Sequence, residues 1–142
     1  MKKFLMGFAV LALVGCGAED GAMAVQSAFA DSEEIVVQSV ADIAGEFIAH
    51  GAHGTPITLT FDAETGRFHG RVVNNYNGPF SIDGNMITFG PAAATRMMGI
   101  PGAMEDEDAY FKFIGAVTEF RLYPEGLVLT TANSERMEFM RK

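Results

Sequence analysis

The sequence has no tryptophan, a single cysteine, five prolines and fewer bases than acids. Its lone cysteine, Cys16, excludes an intramolecular disulfide and any multi-cysteine metal centre. Ten basic against 18 acidic residues give a formal net charge of −8, and no basic patch interleaved with aromatics occurs along the chain. That balance repels polyanions, so nucleic acid is excluded as a partner. No apolar run is long enough to span a bilayer: the longest, residues 4–14, would make a helix of ~16 Å against a hydrocarbon core of ~30 Å.

Signatures of chemistry are equally scarce. There is no G-x-S-x-G, no phosphate-cradling glycine loop and no zinc-ligand spacing. His50 and His53 lie in "HGAHGTP", whose glycines and Pro56 describe a loose loop, and His69 is one strand away; these read as exposed loop histidines, not a metal site. "DAETG" (62–66) is short of the ligands of a calcium loop and reads as a hairpin turn. Ser81, Asp83 and His69 have no motif that would bring them together as a triad. The expectation is a protein that is not an enzyme, with no catalytic residues, no metal and no cofactor.

What the chain does have begins at its start. "MKKFLMGFAVLALVGCG" places two lysines before a short apolar run, the pattern of a secretory signal peptide. "LVGC" resembles the lipobox of bacterial lipoproteins. This implies cleavage of a signal peptide over residues 1–15 and lipidation of Cys16, whose acyl chains would hold the protein on a membrane. The alternative is ordinary cleavage after "AMA" (22–24) or "AFA" (28–30), both far beyond the apolar run. Gly17 after the cysteine, instead of Asp, implies the periplasmic face of the outer membrane in a diderm cell. Loss of Lys2 and Lys3 leaves 8 bases against 18 acids, a net charge of −10. Residues 16–33 are small, polar and acidic and read as a flexible tether.

From residue 34 the pattern is β-rich. "EIVVQSV" (34–40) suits a first strand. "ITLTFD" (57–62) alternates apolar and polar residues, and "GRFHGRVV" (66–73) follows across the "AETG" turn. "PFSID" and "MITFG" flank "DGN" (83–85), a hairpin signal because Gly and Asn tolerate positive φ. "TEFRLY", "LVLTT" and "RMEFMR" repeat the strand pattern, with turns at "PEG" (124–126) and "ANSE" (132–135). One segment departs from it. In "PGAMEDEDAYFKFIGAV" (101–117), Tyr110, Ile114 and Val117 follow a helical spacing. Its acids, Glu105 to Asp108, read as a solvated start that complements the helix dipole. The fold class expected is mainly β (α+β): a small antiparallel β-barrel-like or sandwich domain over 34–142, with one α-helix near 102–117.

"VNNYNGPF" (73–80) raises the question of a binding site. Asparagines mimic backbone turns, Gly78 relieves the Cβ penalty, and Pro79 stiffens the chain. The expected role is a sharp corner between strands, with Asn74 tying loop backbone. Arg96, in the small and apolar "ATRMMG", is either an exposed contact for an anionic partner or a partly buried charge with carboxylate or carbonyl partners. The structural role is expected for both.

Three ordered motifs in this stretch are similar to those of the META domain of the HslJ-like family. Asn74, Tyr76, Gly78 and Phe80 match its core motif, Thr95, Arg96 and Met97 its second, and Glu107, Tyr110 and Ile114 its helix. The resemblance covers about residues 35–140. Val73 and Gly99 stand where the family has two cysteines, the usual N-terminal tryptophan is missing, and the spacing from Gly70 to Asn74 is one residue short. The resemblance implies a small β-barrel-like fold with one helix, an envelope lipoprotein, and a part in stress tolerance through binding or structural support. It supplies no catalytic residues. Asn74, Tyr76, Gly78, Thr95 and Arg96 are the candidate binding or structural residues. The partners implied are the membrane, through the lipid anchor, and an envelope protein or a small ligand. The alternative function is a binding module, such as a hydrolase inhibitor or a small-ligand carrier in the barrel mouth.

Overall fold

The computed structural model describes residues 27–142, so the expected signal peptide, Cys16 and most of the expected tether lie outside the described residues. The chain divides into two units, Met1–Ala30 and Asp31–Lys142. In the first, the amide of Ala30 donates to the carbonyl of Ser27 at 3.2 Å, closing a turn. The second is the β domain.

Its elements are α1 (Val40–Ile43), β1 (Gly45–His50), β2 (Pro56–Asp62), β3 (Arg67–Arg71), β4 (Asn75–Asp83), β5 (Met86–Phe89), β6 (Ala93–Ala94), α2 (Pro101–Ala116), β7 (Val117–Tyr123), β8 (Gly126–Thr131) and β9 (Arg136–Arg141). All strand pairings are antiparallel. Eight strands close a ring in the order β1-β2-β3-β4-β5-β7-β8-β9, and the two-residue β6 pairs with β4 beside it.

The turns that the sequence marked make the hairpins. Asp62 Oδ1 accepts the amides of Glu64 (3.0 Å) and Thr65 (3.4 Å), and Gly66 takes φ +69° to complete the β2–β3 turn. Gly84, at φ +64°, closes β4–β5. Within the ring, Phe47, Phe61, Phe68, Tyr76, Phe120 and Phe139 are fully buried. Their edges meet ring faces: Phe61 with Phe80 at 4.9 Å and Phe68 with Phe89 at 4.8 Å. The interior is filled by side chains, as expected of a small eight-stranded barrel.

The β5–β7 seam is the weak part of the wall. A single registered pair, Met86 with Glu119, and the Phe120 amide on the Asn85 carbonyl (2.9 Å) join it. Helix α2 runs directly into β7 and turns Tyr110 and Ile114 into the core, Tyr110 lying 6.5 Å from Phe139. Among the described residues, no helix is long and apolar enough to cross a membrane.

Three expectations need correction. Residues 34–40 are not a strand: Ile35 makes one isolated bridge to Leu122, and then the Asp42 carboxylate accepts the amides of Gln38 (2.8 Å) and Ser39 (3.1 Å), starting α1. β1, where Phe47 and Ala49 alternate with less buried residues, takes the place of that strand. The corner falls at residues 72–74 and not at Gly78–Pro79. β4 runs straight through Pro79, whose missing N–H is tolerated where the β3 ladder ends at Arg67. Finally, the acids of α2 are not a solvated first turn; none lies in that turn, and Asp106 and Glu107 are 3% and 4% exposed.

Ile114 seals the helix to the core. Ile114→Asp should therefore place an unpaired charge there and cost about 3–5 kcal/mol. A thermal melt checks this, and an unchanged midpoint would mean that α2 does not hold the core closed.

Candidate functional site

Three of the four buried polar or charged residues among the described ones, Asn74, Asp106 and Glu107, lie on or against α2. Consecutive residues on a helix point about 100° apart, and Asp106 and Glu107 use that angle to reach two different loops. Glu107 takes the β3–β4 loop. Its carboxyl accepts the amides of Val73 (3.0 Å) and Asn74 (2.6 Å) and the Asn74 side-chain Nδ2 (2.8 Å). Asn74 passes the connection on. Its Nδ2 also donates to the Met97 carbonyl (3.2 Å), and its Oδ1 accepts from Thr95 Oγ1 (2.9 Å) and from the Met97 amide. Both donors and both acceptor positions of the Asn74 amide are thereby filled.

Asp106 takes the β1–β2 loop. It accepts the His53 amide (3.0 and 3.1 Å), the Thr55 amide (3.3 Å) and the His53 ring Nδ1 (2.9 Å), while His53 Nε2 lies 3.1 Å from Glu105. The loop passes so close that a Cβ on Gly51 would sit 2.4 Å from Asp106 Cγ. Hydrogen bonds from Thr55 and His53 hold the Asp106 carboxyl well below the usual carboxylate range, against the opposing effect of burial. Its hydrogen bond and charge raise His53 above its ordinary value, and Glu105 adds to the effect.

Deeper in, Tyr76 Oη lies 2.7 Å from Tyr110 Oη and donates to the Thr58 carbonyl. Burial pushes both hydroxyls up, so they stay neutral donors that fasten α2 to β4 and β2.

The candidates read from the sequence separate into two groups. Asn74 and Tyr76 are buried in these networks. Gly78 is buried within β4 with no positive φ; its role is space, since a Cβ there would meet the Pro91 carbonyl at 2.7 Å. Thr95 is exposed, but its Oγ1 accepts the Asn75 amide at 3.1 Å and donates to Asn74. Arg96 differs from the expectation: it is exposed, with no hydrogen bond or ion pair to any described residue, because its neighbours' polar groups are already engaged with one another. The His53–Asp106 pair was missed. The close glycine spacing of "HGAHGT" was its one sequence signal, since glycines free loop amides to converge on an acceptor. His50 and His69 are exposed, and among the described residues no group of His, Cys, Asp or Glu could hold a metal ion.

The Asn74–Thr95–Met97–Glu107 network joins all three sequence motifs at one place, and the model of the META domain matches residues 36–142. The chain belongs to the META domain family. No curated protein matches it. A protein from Burkholderia xenovorans, solved by NMR, is similar in fold at 20% identity and a TM-score of 0.59, over 79% of this chain and 95% of that one. A second protein solved by NMR is similar at 18% identity and a TM-score of 0.58, over 74% and 96% of the two chains. In this META domain the two positions that hold cysteine in the resemblance are in contact: a Cβ on Gly99 would lie 3.0 Å from Val73 Cγ1.

Asn74→Ala should lower stability by about 1–3 kcal/mol, since it leaves buried partners unmade. Arg96→Ala should change it by less than about 0.5 kcal/mol. Urea unfolding of the two variants side by side checks the contrast, and equal losses would contradict it.

A pH dependence follows as well. His53 is raised, so its stabilisation is complete below its ordinary value of 6.5 and is lost as pH rises through the higher folded value. Asp106 is lowered, so its stabilisation is complete above 3.8 and lost as pH falls through the lower folded value. The difference in thermal midpoint between the native chain and His53→Gln should thus be largest between about pH 4 and 6.5 and shrink above neutrality. A difference independent of pH would remove the ion pair as its cause.

Proposed function

We propose that this META domain protein is a non-catalytic, lipid-anchored protein of the cell envelope, which contributes to stress tolerance through binding or structural support. One observation carries the non-catalytic reading. The four buried polar or charged residues among the described ones, Asn74, Asp106, Glu107 and Thr131, each accept a backbone amide of a loop. Side chains engaged in this way hold the chain in shape and are not free to move protons for a substrate. The filled barrel speaks against a ligand carried inside it, so partners would meet the outer surface.

The anchor is Cys16, within "LVGC", and Gly17 after it directs the protein to the periplasmic face of the outer membrane. Acyl chains at ~0.8 kcal/mol per buried methylene make such an anchor durable. Cys16→Ala should abolish incorporation of labelled fatty acid and move the protein out of the membrane fraction. A variant that stays in the membrane at full length would contradict the anchor.

A further inference from the structure

A hollow of mixed chemistry lies on the outer surface beside α2. Two depressions of about 470 and 440 Å³ lie between α2 and the 90–100 segment. They share Ala92, Ala94 and Phe111 in their linings, so they adjoin along α2 and are treated together as one groove. One end is apolar, walled by Phe89, Pro91 and Ile114. Arg96 lines the other.

The charge at that end is available. Glu107 and Asn74 also line it, but their polar atoms are engaged: Glu107 accepts three N–H groups, and Asn74 is filled on both its oxygen and its nitrogen. Thr95 Oγ1 both donates and accepts. Arg96 has no partner among the described residues, in a chain whose net charge is −8. An exposed guanidinium beside an apolar trough complements a molecule with one anionic end and one long apolar chain. Volume and lining agree with this, because small-ligand sites run to about 300–1,000 Å³ and set a few polar groups in a mostly apolar wall. A guanidinium also matches the planar fork of a carboxylate through two parallel hydrogen bonds.

We propose that the groove between α2 and the 90–100 segment binds a single-chain fatty acid, its carboxylate on Arg96 and its chain along Phe111, Ile114 and Phe89. The assignment rests on the groove and not on where the protein resides, so loss of the Cys16 anchor would leave it standing.

Laurate, titrated below its aggregation concentration into the full chain by calorimetry, is the direct probe. Two variants locate the binding. Arg96→Gln should weaken it about tenfold or more through loss of a charge-assisted contact. Gly115→Trp should abolish it by filling the apolar end; a Cβ added there meets nothing within 4 Å, so the fold is expected to survive, as circular dichroism and the thermal midpoint would verify. Dodecanol, with the same chain and no charge, should bind at least about tenfold more weakly than laurate. The proposal is overturned if the native chain does not bind laurate, or if folded variants bind it as the native chain does. Equal binding of dodecanol, or tighter binding of lysophosphatidate, would also overturn it, by showing that the groove does not select a fatty-acid carboxylate.

Discussion

Two adjacent acids on one helix hold this domain in its shape. Asp106 and Glu107 leave α2 at different angles, and each accepts backbone amides from a loop that would otherwise hang open, His53 and Thr55 on one side and Val73 and Asn74 on the other. Loop amides turned inward need acceptors, because an unpaired buried N–H costs about as much as a lost hydrogen bond. The carboxyls satisfy that need and fix the position of α2. Tyr110 and Ile114 are then held in the core, Tyr110 against Tyr76.

The same network sets the surface. Asn74 receives from Thr95 and bonds both ways with Met97, so an exposed segment with only two residues of strand keeps a fixed course. Arg96 lies between two anchored residues while its own side chain remains unengaged. The groove beside α2 therefore has a stable wall and a cation without a described partner, both consequences of polar groups at that end that are engaged with one another and with loop amides.

Much of the fold was legible. Hairpins showed because Gly66 and Gly84 supply the positive φ that their turns require, and α2 showed because Tyr110, Ile114 and Val117 follow a helical spacing. The misreadings had two different origins, one local and one long-range. "EIVVQSV" carries strand residues, but Asp42 captures the amides of Gln38 and Ser39 and ends any extended run. "EDED" looks solvated in isolation; that two of its acids face inward depends on loops 33 and 53 residues away in sequence. Asn74 was legible as a clamp, because asparagine has both donors and acceptors to tie a loop. The exposure of Arg96 was not, since it depends on which neighbours Asn74 had already engaged.

Hydrogen exchange of the native protein tests the central claim most directly. The amides of His53, Val73 and Asn74 lie outside the strand ladders, yet each donates to a buried carboxyl of α2. They should exchange as slowly as the barrel amides of β2 and β8, and Glu107→Gln should speed Val73 and Asn74 far more than His53. Fast exchange of all three in the native chain, at the rate of exposed turns, would contradict the account.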